Sequence, residues 1–333
     1  MALVPGTMVT DKVRLKRPLD EGAMGTLWVA DHLGFNAEVV VKFILPELQK
    51  SNPQALARFN VEAQVLGRIK SPHVVQIFDR SEMPDGTPFI VMELLDGETL
   101  VQRLERTGAL SLELCAKIVR QLAEALTAVH QQGVVHRDMK AENIFLTGQP
   151  DNPFVKLLDF GVAKLPQAPQ SQKLTAPGMM VGTPEYMCPT QTVAAMAVDH
   201  KSDCWALAVV AYLSLALGFP FSGPKTSDTF QAIRTGQYRP LSQVRPDLGT
   251  WFDAWFAKAF TVDPKQRFEN AVEMTQAFDQ VVLGRQLAAA GVPQGVKTLD
   301  THPGGSSNKA LIIGLMLMGL VIVALLVVLL LRR

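Results

Sequence analysis

The stretch His136–Asn143, which reads H-R-D-M-K-A-E-N, decides how the fold and chemistry of this 333-residue chain are interpreted. It places a carboxylate, Asp138, five positions before an amide, Asn143, and a second carboxylate, Asp159, follows the mostly apolar segment 155–158. Phosphoryl transfer from a nucleotide needs a carboxylate that accepts a proton from a hydroxyl and oxygen ligands for metal ions. The spacing therefore predicts a phosphoryl-transfer site that uses ATP with Mg²⁺ or Mn²⁺.

Two further motifs follow this stretch. D-F-G occupies 159–161, and G-T-P-E-Y-M occupies 182–187. With these motifs the chain resembles the protein kinases from about Val13 to about Leu283, and in particular the bacterial eukaryotic-like (Hanks-type) serine/threonine kinases. The resemblance implies an α+β, two-lobed kinase fold. It also implies transfer of the ATP γ-phosphate to serine or threonine hydroxyls of proteins, including its own.

The resemblance assigns a role to each polar residue of these motifs. Asp138 would orient the substrate hydroxyl and accept its proton, and Lys140 would contact the transferring phosphoryl group. Asn143 and Asp159 would bind the metal ions. Thr183 would bond the catalytic Asp and Lys, as its counterpart does in the family when the substrate is serine or threonine. The form H-R-D-x-K also favours serine/threonine over tyrosine kinases.

The segment 19–27, which reads L-D-E-G-A-M-G-T-L, lies between two predicted strands and resembles the glycine-rich loop over the ATP phosphates. Gly22 and Gly25 would let the backbone approach the phosphates, because a Cβ would obstruct that approach. Lys42, which ends the strand V-V-V-K, would bind the α- and β-phosphates. Glu62, on the following predicted helix, would be its ion-pair partner.

The resemblance also implies a slot for adenine between the lobes. The residues expected in the slot, the loop above it or the hinge beside it are Leu19, Leu27, Val40, Met92, Glu93, Leu95 and Phe145. Met92 would be the gatekeeper, and the backbone of 93–95 would bond adenine. Val40 and Phe145 are larger than the residues usual at these positions, which predicts a tight slot.

The chain departs from the kinase pattern at two main places. C-P-T at 188–190 stands where the family has A-P-E, so Thr190 cannot form the usual ion pair with Arg267. An unpaired buried charge is costly, and Gln191 or a water molecule is expected to compensate. Asp20 replaces the first glycine of the phosphate loop, where a carboxylate would repel the phosphates.

These departures leave a second hypothesis open, namely a pseudokinase that binds nucleotide as a membrane-tethered scaffold with little or no transfer. An active kinase is favoured because the residues expected to carry out the chemistry are all present, namely Lys42, Glu62, Asp138, Lys140, Asn143 and Asp159.

Composition excludes several other classes of protein. The net charge is +1, and no run of five Lys or Arg occurs, so nothing points to nucleic acid as a partner. The three cysteines, Cys115, Cys188 and Cys204, have no C-x-x-C spacing. This argues against a zinc site or a disulfide framework and fits a reducing cytosol.

Apolar periodicity divides the chain into segments. The small lobe is predicted from strand signals and one helix, and the large lobe from mostly helical signals, with 204–218 as its buried central helix. The kinase resemblance implies that Asp203, at the start of this helix, bonds the backbone of the catalytic loop. The predicted segments are a loose leader at 1–12, the kinase domain at 13–284 (small lobe 13–95, large lobe 96–284), a flexible linker at 285–309 and a transmembrane helix at 310–331.

The run 310–331 contains 22 residues without a charged or strongly polar side chain. At about 1.5 Å per residue such a helix spans a hydrocarbon core of about 30 Å, and the run is longer than a usual buried core helix. Because ATP is cytosolic, the sequence predicts a single-pass protein of the inner membrane with its catalytic lobes in the cytosol. Ala310 and Gly314 have the small-xxx-small spacing of paired helices, so a homodimer is a further expectation.

Regulation is predicted from Arg137, which precedes the catalytic Asp138. An arginine at this place can pair with a phosphorylated residue of the activation loop, 164–180, and order that loop. Thr175 is the first candidate for phosphorylation, and Ser171 is the second.

Overall fold

The computed structural model describes residues 3–22, 25–44, 67–159, 183–193 and 198–290. Glu62, Ser171, Thr175 and the apolar run 310–331 lie outside these ranges. The described residues form a small lobe built on an antiparallel sheet and a larger, mostly helical lobe. The two-lobed architecture predicted from the motifs is therefore confirmed.

The small lobe contains a five-stranded antiparallel sheet with the strand order β1-β2-β3-β5-β4. Side chains alternate between the two faces of a strand, so Val39, Val41 and Phe43 enter the core of this lobe while Lys42 points to the opposite face. The strands are β1 (Val13–Gly22), β2 (Gly25–His32), β3 (Ala37–Ile44), β4 (Ile77–Glu82) and β5 (Pro88–Glu93).

Residues 3–12 pack against this sheet, so the predicted loose leader needs correction over this part. The N–H of Gly6 donates to Leu15 O at 2.7 Å, and the N–H of Leu15 donates to Thr7 O at 2.9 Å. Val9 is 5% exposed and belongs to the core of the lobe. β1 is an edge strand, and its outer backbone groups bond to the preceding segment. That segment has no apolar periodicity, so its sequence did not indicate this packing.

The large lobe contains a three-stranded antiparallel sheet in the order β6-β7-β8 and a set of helices that pack around one apolar core. Its strands are β6 (Gly97–Thr99), β7 (Ile144–Gln149) and β8 (Asn152–Leu157). The helices of the described ranges are α1 (Leu100–Thr107), α2 (Leu112–Gln131), α3 (His200–Ala216), α4 (Thr226–Thr235), α5 (Leu241–Val244), α6 (Asp253–Ala259) and α7 (Ala271–Ala289).

Helix α3 is the buried centre of the large lobe, as the sequence predicts. Trp205 and Tyr212 are at most 2% exposed, and their rings contact aromatic side chains of the surrounding segments. Asp199 caps the helix by accepting the N–H of Lys201, and Leu217 ends it in the left-handed region at φ 54°. The rigid position of α3 allows its first turn to serve as an anchor for the catalytic loop.

Helix α7 corrects the predicted start of the linker at residue 285. Residues 285–289 continue the helix to Ala289, because R-Q-L-A-A contains only strong helix formers and Gly291 is the first glycine after it. None of the helices in the described ranges is long and apolar enough to cross a bilayer. The predicted span at 310–331 lies outside those ranges.

Candidate active site

The catalytic loop is anchored to α3 by one buried carboxylate. Asp203, which is 1% exposed, accepts the backbone N–H of His136 at 2.8 Å and that of Arg137 at 2.9 Å. His130 of α2 contacts the same carboxylate through Nε2 at 2.8 Å. Arg137 has φ 67°, a left-handed conformation that costs energy in a non-glycine residue. The bonds to Asp203 hold the loop in this conformation.

His136 connects the catalytic loop to the strand that precedes Asp159. The ring is fully buried, and this burial lowers its pKa, so it remains neutral near pH 7. Nε2 lies 3.0 Å from Leu158 O, and Nδ1 lies 3.3 Å from the backbone N of Asp138. The neutral tautomer with the proton on Nε2 satisfies both contacts, because Nε2–H donates and Nδ1 accepts.

Asp138, Lys140 and Asn143 are in direct contact. The amide nitrogen of Asn143 donates to Asp138 Oδ2 at 3.0 Å and to Asp138 O at 2.8 Å, and Lys140 Nζ lies 3.3 Å from Asp138 Oδ2. Because the amide nitrogen is used in this way, the amide oxygen is the group of Asn143 that can bind a metal ion. The three residues that the sequence assigned to transfer and metal binding therefore lie together.

Asp159 lies at the end of the segment that follows β8 and reaches the small lobe. Its Oδ1 is 2.6 Å from Lys42 Nζ, and the side chain is 56% exposed. Asn143 also donates to Asp159 O at 3.5 Å. The predicted partner of Lys42, Glu62, lies outside the described residues, so that ion pair stays a prediction. The contact with Asp159 places the ammonium group of Lys42 beside one of the two predicted metal ligands.

The assembled donors fit a metal–nucleotide complex. Carboxylate and amide oxygens from Asp159 and Asn143 are the hard ligands that Mg²⁺ prefers, and Mg²⁺ is held by few protein groups together with phosphate oxygens. Lys42 and Lys140 add two ammonium groups that can neutralise phosphate charge. The arrangement can orient a hydroxyl beside Asp138 and stabilise the charge on a transferring phosphoryl group.

The register of the small sheet places the predicted adenine residues near one another. Val40 pairs with Met92 between β3 and β5, and Leu27 pairs with Lys42 between β2 and β3. Phe145 lies on β7 of the large lobe, opposite Thr99. The strand pairings place Leu27, Val40 and Met92 in the small sheet and Phe145 on β7, and the adenine slot between them stays a prediction.

Glu93 has a structural role that the sequence did not reveal. Its carboxylate accepts the N–H of Gln76 at 2.7 Å and contacts Lys156 of β8 at 2.6 Å, while its own N–H donates to Gln76 O at 3.0 Å. Because these contacts use the side chain and the N–H of Glu93, its carbonyl is the backbone group of this residue that can bond adenine. Leu95 follows two residues later. The network fixes the end of β5 to the large lobe. The partners lie far apart along the chain, so no local pattern indicates it.

In the glycine-rich segment, strand packing requires a glycine in addition to the predicted approach of the backbone to the phosphates. A Cβ on Gly25 would lie 1.8 Å from Phe43 O, so the close approach of β2 and β3 itself requires glycine. Gly22 pairs with Gly25 at the end of the hairpin. Leu19 is 44% exposed, and the carboxylate of Asp20 accepts the N–H of Glu21 at 2.9 Å.

Thr183 and Arg137 line one small cavity together with Asp138 and Lys140. Nη1 of Arg137 is buried there without a hydrogen-bond acceptor among the described residues, and burial lowers the pKa of this guanidinium. Tyr186 closes the cavity, and its hydroxyl oxygen accepts the N–H of Ala141 at 3.2 Å. This bond joins the segment 183–187 to the catalytic loop.

Arg267 is stabilised without the carboxylate that Thr190 lacks. The guanidinium is 5% exposed, donates to Thr261 O at 2.7 Å and Val262 O at 2.8 Å, and lies 4.7 Å from the ring centre of Trp205. Gln191 accepts the N–H of Cys188. Of the two expected compensating groups, Gln191 contacts Cys188 instead of Arg267, whose guanidinium is held by two backbone carbonyls and an aromatic face, and the water molecule stays a prediction.

The two lobes, the anchored loop and the metal-binding donors define the protein kinase class. Residues 13–280 match the protein kinase domain family, and the chain belongs to this family. Within it, the relatives are bacterial serine/threonine kinases. The chain is 34% identical over 293 residues to serine/threonine-protein kinase Pkn1 of Myxococcus xanthus and 36% identical over 281 residues to PknA of Corynebacterium glutamicum.

These alignments cover 88 and 82% of this chain but 40 and 57% of the respective relatives, so the chain spans about half the length of the curated relatives it matches. Among solved structures, the kinase domain of PknI from Mycobacterium tuberculosis has a TM-score of 0.64 and 28% identity. The match covers 84% of this chain and all of that domain. The predicted family and fold are thus confirmed by sequence and by structure.

Proposed function

We propose that this chain is a serine/threonine protein kinase that transfers the ATP γ-phosphate to protein hydroxyls with Mg²⁺ or Mn²⁺. The observation that supports this most is the contact of Asn143 and Lys140 with Asp138, completed by the contact between Lys42 and Asp159. These contacts bring together one acceptor for the hydroxyl proton, the metal ligands and two cations. Nothing in the described residues favours the alternative of a pseudokinase.

Each residue contributes a separate part of the reaction. Asp138 orients the serine or threonine hydroxyl and accepts its proton as the oxygen attacks the γ-phosphorus. Lys140, held 3.3 Å from that carboxylate, balances negative charge on the transferring group. Asn143 and Asp159 would hold the metal ion, which would supply neutralisation of charge on the phosphate oxygens. Lys42 positions the α- and β-phosphates.

The test is transfer of radiolabel from [γ-³²P]ATP by the purified full chain to itself and to a panel of serine and threonine peptides. We expect label that depends on a divalent metal ion, is removed by EDTA and is recovered as phosphoserine or phosphothreonine. Absence of label on every substrate, together with a rise in melting temperature on adding ATP, would instead support a nucleotide-binding scaffold.

The regulatory part of this proposal concerns Nη1 of Arg137, which is buried without a hydrogen-bond partner in the part of the chain that the structure describes. A phosphate on Thr175, or second on Ser171, would give this guanidinium an acceptor and order the activation loop. Thr175→Ala is expected to lower activity several-fold and to remove the dominant phosphopeptide in a mass spectrum. Unchanged activity in Thr175→Ala would contradict this role for Thr175.

The membrane part of this proposal depends on the sequence of 310–331. The run has the length and apolarity of a transmembrane helix, and Arg332 and Arg333 follow it. We place the protein in the inner membrane as a single-pass protein with the catalytic lobes in the cytosol, where ATP is available. Pairing of two copies through Ala310 and Gly314 would bring two kinase domains together for autophosphorylation.

A further inference from the structure

A second cavity opens on the large lobe beyond the segment that holds Tyr186. It has a volume of about 640 Å³, which is within the usual range of binding sites of about 300–1,000 Å³. Its walls come from the end of α3, the loop after it and the segment between α4 and α5, and include Phe219, Pro220, Tyr238 and Pro240. We refer to this cavity as the α3–α5 groove.

The groove has a rigid aromatic wall. The ring of Tyr238 contacts Phe221 and Phe260 with centroid distances of 5.9 and 5.0 Å, and burial raises the pKa of its hydroxyl to about 12. The hydroxyl of Tyr212 donates to Arg239 O at 2.6 Å and fixes the backbone on that side. A surface held in this way is preorganised, so little conformational entropy is lost when a partner binds.

One aromatic contact joins the wall of the groove to a residue beside the catalytic loop. Phe219 lines the groove and packs edge-on against Tyr186 with a centroid distance of 5.2 Å. Tyr186 in turn accepts the N–H of Ala141, three residues after Asp138. A polypeptide whose hydroxyl reaches Asp138 lies beside this segment, and an extended chain advances about 3.3 Å per residue. An extension of the same polypeptide along this segment would lead towards the groove.

The charge of the groove indicates what it binds. Arg239 is the one charged residue among the described residues that line it. Its Nη2 donates to Gln243 O at 3.3 Å, and no described carboxylate forms an ion pair with it, whereas the neighbouring Arg245 is paired with Asp247. Aromatic and proline walls beside an unpaired guanidinium are complementary to an apolar side chain next to a carboxylate.

We propose that the α3–α5 groove is a docking site for a second stretch of the protein substrate, one that carries an aromatic or aliphatic side chain beside an aspartate or glutamate. The proposal rests on the proposed kinase function, and it deepens that function by naming a specificity determinant outside the catalytic cleft. Docking raises the affinity for the substrate and leaves the chemical step unchanged, since the groove does not touch the reacting atoms.

The test uses the full chain and a panel of synthetic peptides. A short peptide with one threonine is extended at either end, through a flexible Gly-Ser linker, by Asp or Glu next to Leu, Phe or Trp. The matched control peptide carries Lys and Ser in place of these residues. KM and kcat are measured for transfer, and fluorescence anisotropy of labelled peptides measures binding independently of transfer.

At least one acidic-apolar extension is expected to lower KM and Kd about fivefold or more relative to the control peptide, with kcat unchanged. Arg239→Glu should remove this advantage and favour the extension that carries lysine, and Ser222→Trp should fill the groove and remove it as well. The control Lys265→Glu makes the same change of charge near the start of α3, at the opposite end of that helix, and should behave as wild type.

The proposal is overturned if no extension binds more tightly than the control, or if the advantage survives both Arg239→Glu and Ser222→Trp. Failure of the kinase function would look different. In that case the short peptide receives no phosphate in any protein variant, while anisotropy still decides whether the groove binds the extensions.

Discussion

At the scale of the residue, Arg267 shows how a buried cation is accommodated without its usual carboxylate. Two carbonyl oxygens and the face of Trp205 contact the guanidinium, and burial nevertheless lowers its pKa. These contacts do not neutralise the charge. A carboxylate at position 190, which Thr190 does not provide, can therefore still form an ion pair with Arg267.

Thr190→Glu is expected to stabilise the protein. A glutamate at this position can pair with Arg267, and the gain in the free energy of unfolding should be about 1–3 kcal/mol because the guanidinium is already desolvated. Thermal and urea unfolding measure the change. Thr190→Gln is the matched control without charge and should gain much less; equal stability of the two variants would show that Arg267 needs no counter-ion.

His136 predicts a dependence of stability on pH. Burial lowers its pKa below the ordinary 6.5, so the unfolded chain binds a proton at a higher pH than the folded one does. The contribution of His136 to stability is fully present above about pH 6.5 and is lost as the pH falls from there towards the lowered pKa. His136→Gln keeps a donor and an acceptor but cannot titrate.

Urea unfolding between pH 7 and 5.5 measures this effect. The wild type should lose free energy of unfolding over this interval, and His136→Gln should lose clearly less. The same loss in both proteins would mean that another group causes the dependence on pH.

At the scale of the element, α3 positions the catalytic loop through its first turn. The N–H groups of His136 and Arg137 bond to different oxygens of Asp203, and Asp203→Asn replaces one of these oxygens by an NH2 donor, so that one of the two bonds loses its acceptor. We expect a loss of about 3 kcal/mol in the free energy of unfolding. We also expect a fall in kcat of about 100-fold, since misplacing the loop by about 1 Å is enough for that.

Chemical unfolding and peptide phosphorylation measure the two effects. Asp151→Asn, in the exposed turn between β7 and β8, is the control and should change stability by less than about 0.5 kcal/mol. Normal kcat in Asp203→Asn would contradict the anchoring role of α3.

Elements and site residues differed in how far the sequence could predict them. Motifs with fixed local spacing identified Asp138, Asn143 and Asp159, and apolar composition identified the buried helix α3, because both are local properties of the chain. The role of Glu93 and the packing of residues 3–12 depend on partners that only the folded chain brings close. The predicted boundary at 285 lies inside α7, which continues to Ala289.

For the whole molecule, the proposed membrane span at 310–331 would hold the kinase domain at the membrane surface. The full chain is expected in the membrane fraction and should resist extraction by high salt and alkaline carbonate. A chain truncated after Asn308 should be recovered in the soluble fraction with its melting temperature and peptide kinase activity retained. Leu320→Arg tests the apolar character of the run, because a charge at the centre of a bilayer costs about 3 kcal/mol. Equal partition of the full and truncated chains would contradict the membrane proposal.

The central claim is that the cleft between the lobes is a working phosphoryl-transfer site in which Asp138 serves the chemical step. The most direct measurement compares ATP affinity and transfer rate in the wild type and in Asp138→Asn, with the full chain, a divalent metal ion and radiolabelled ATP. We predict that the wild type transfers phosphate. In Asp138→Asn the transfer rate should fall at least about 100-fold, while the ATP affinity stays within about threefold of the wild-type value. Transfer that persists undiminished in Asp138→Asn, or a wild type that binds ATP and never transfers phosphate, would contradict it.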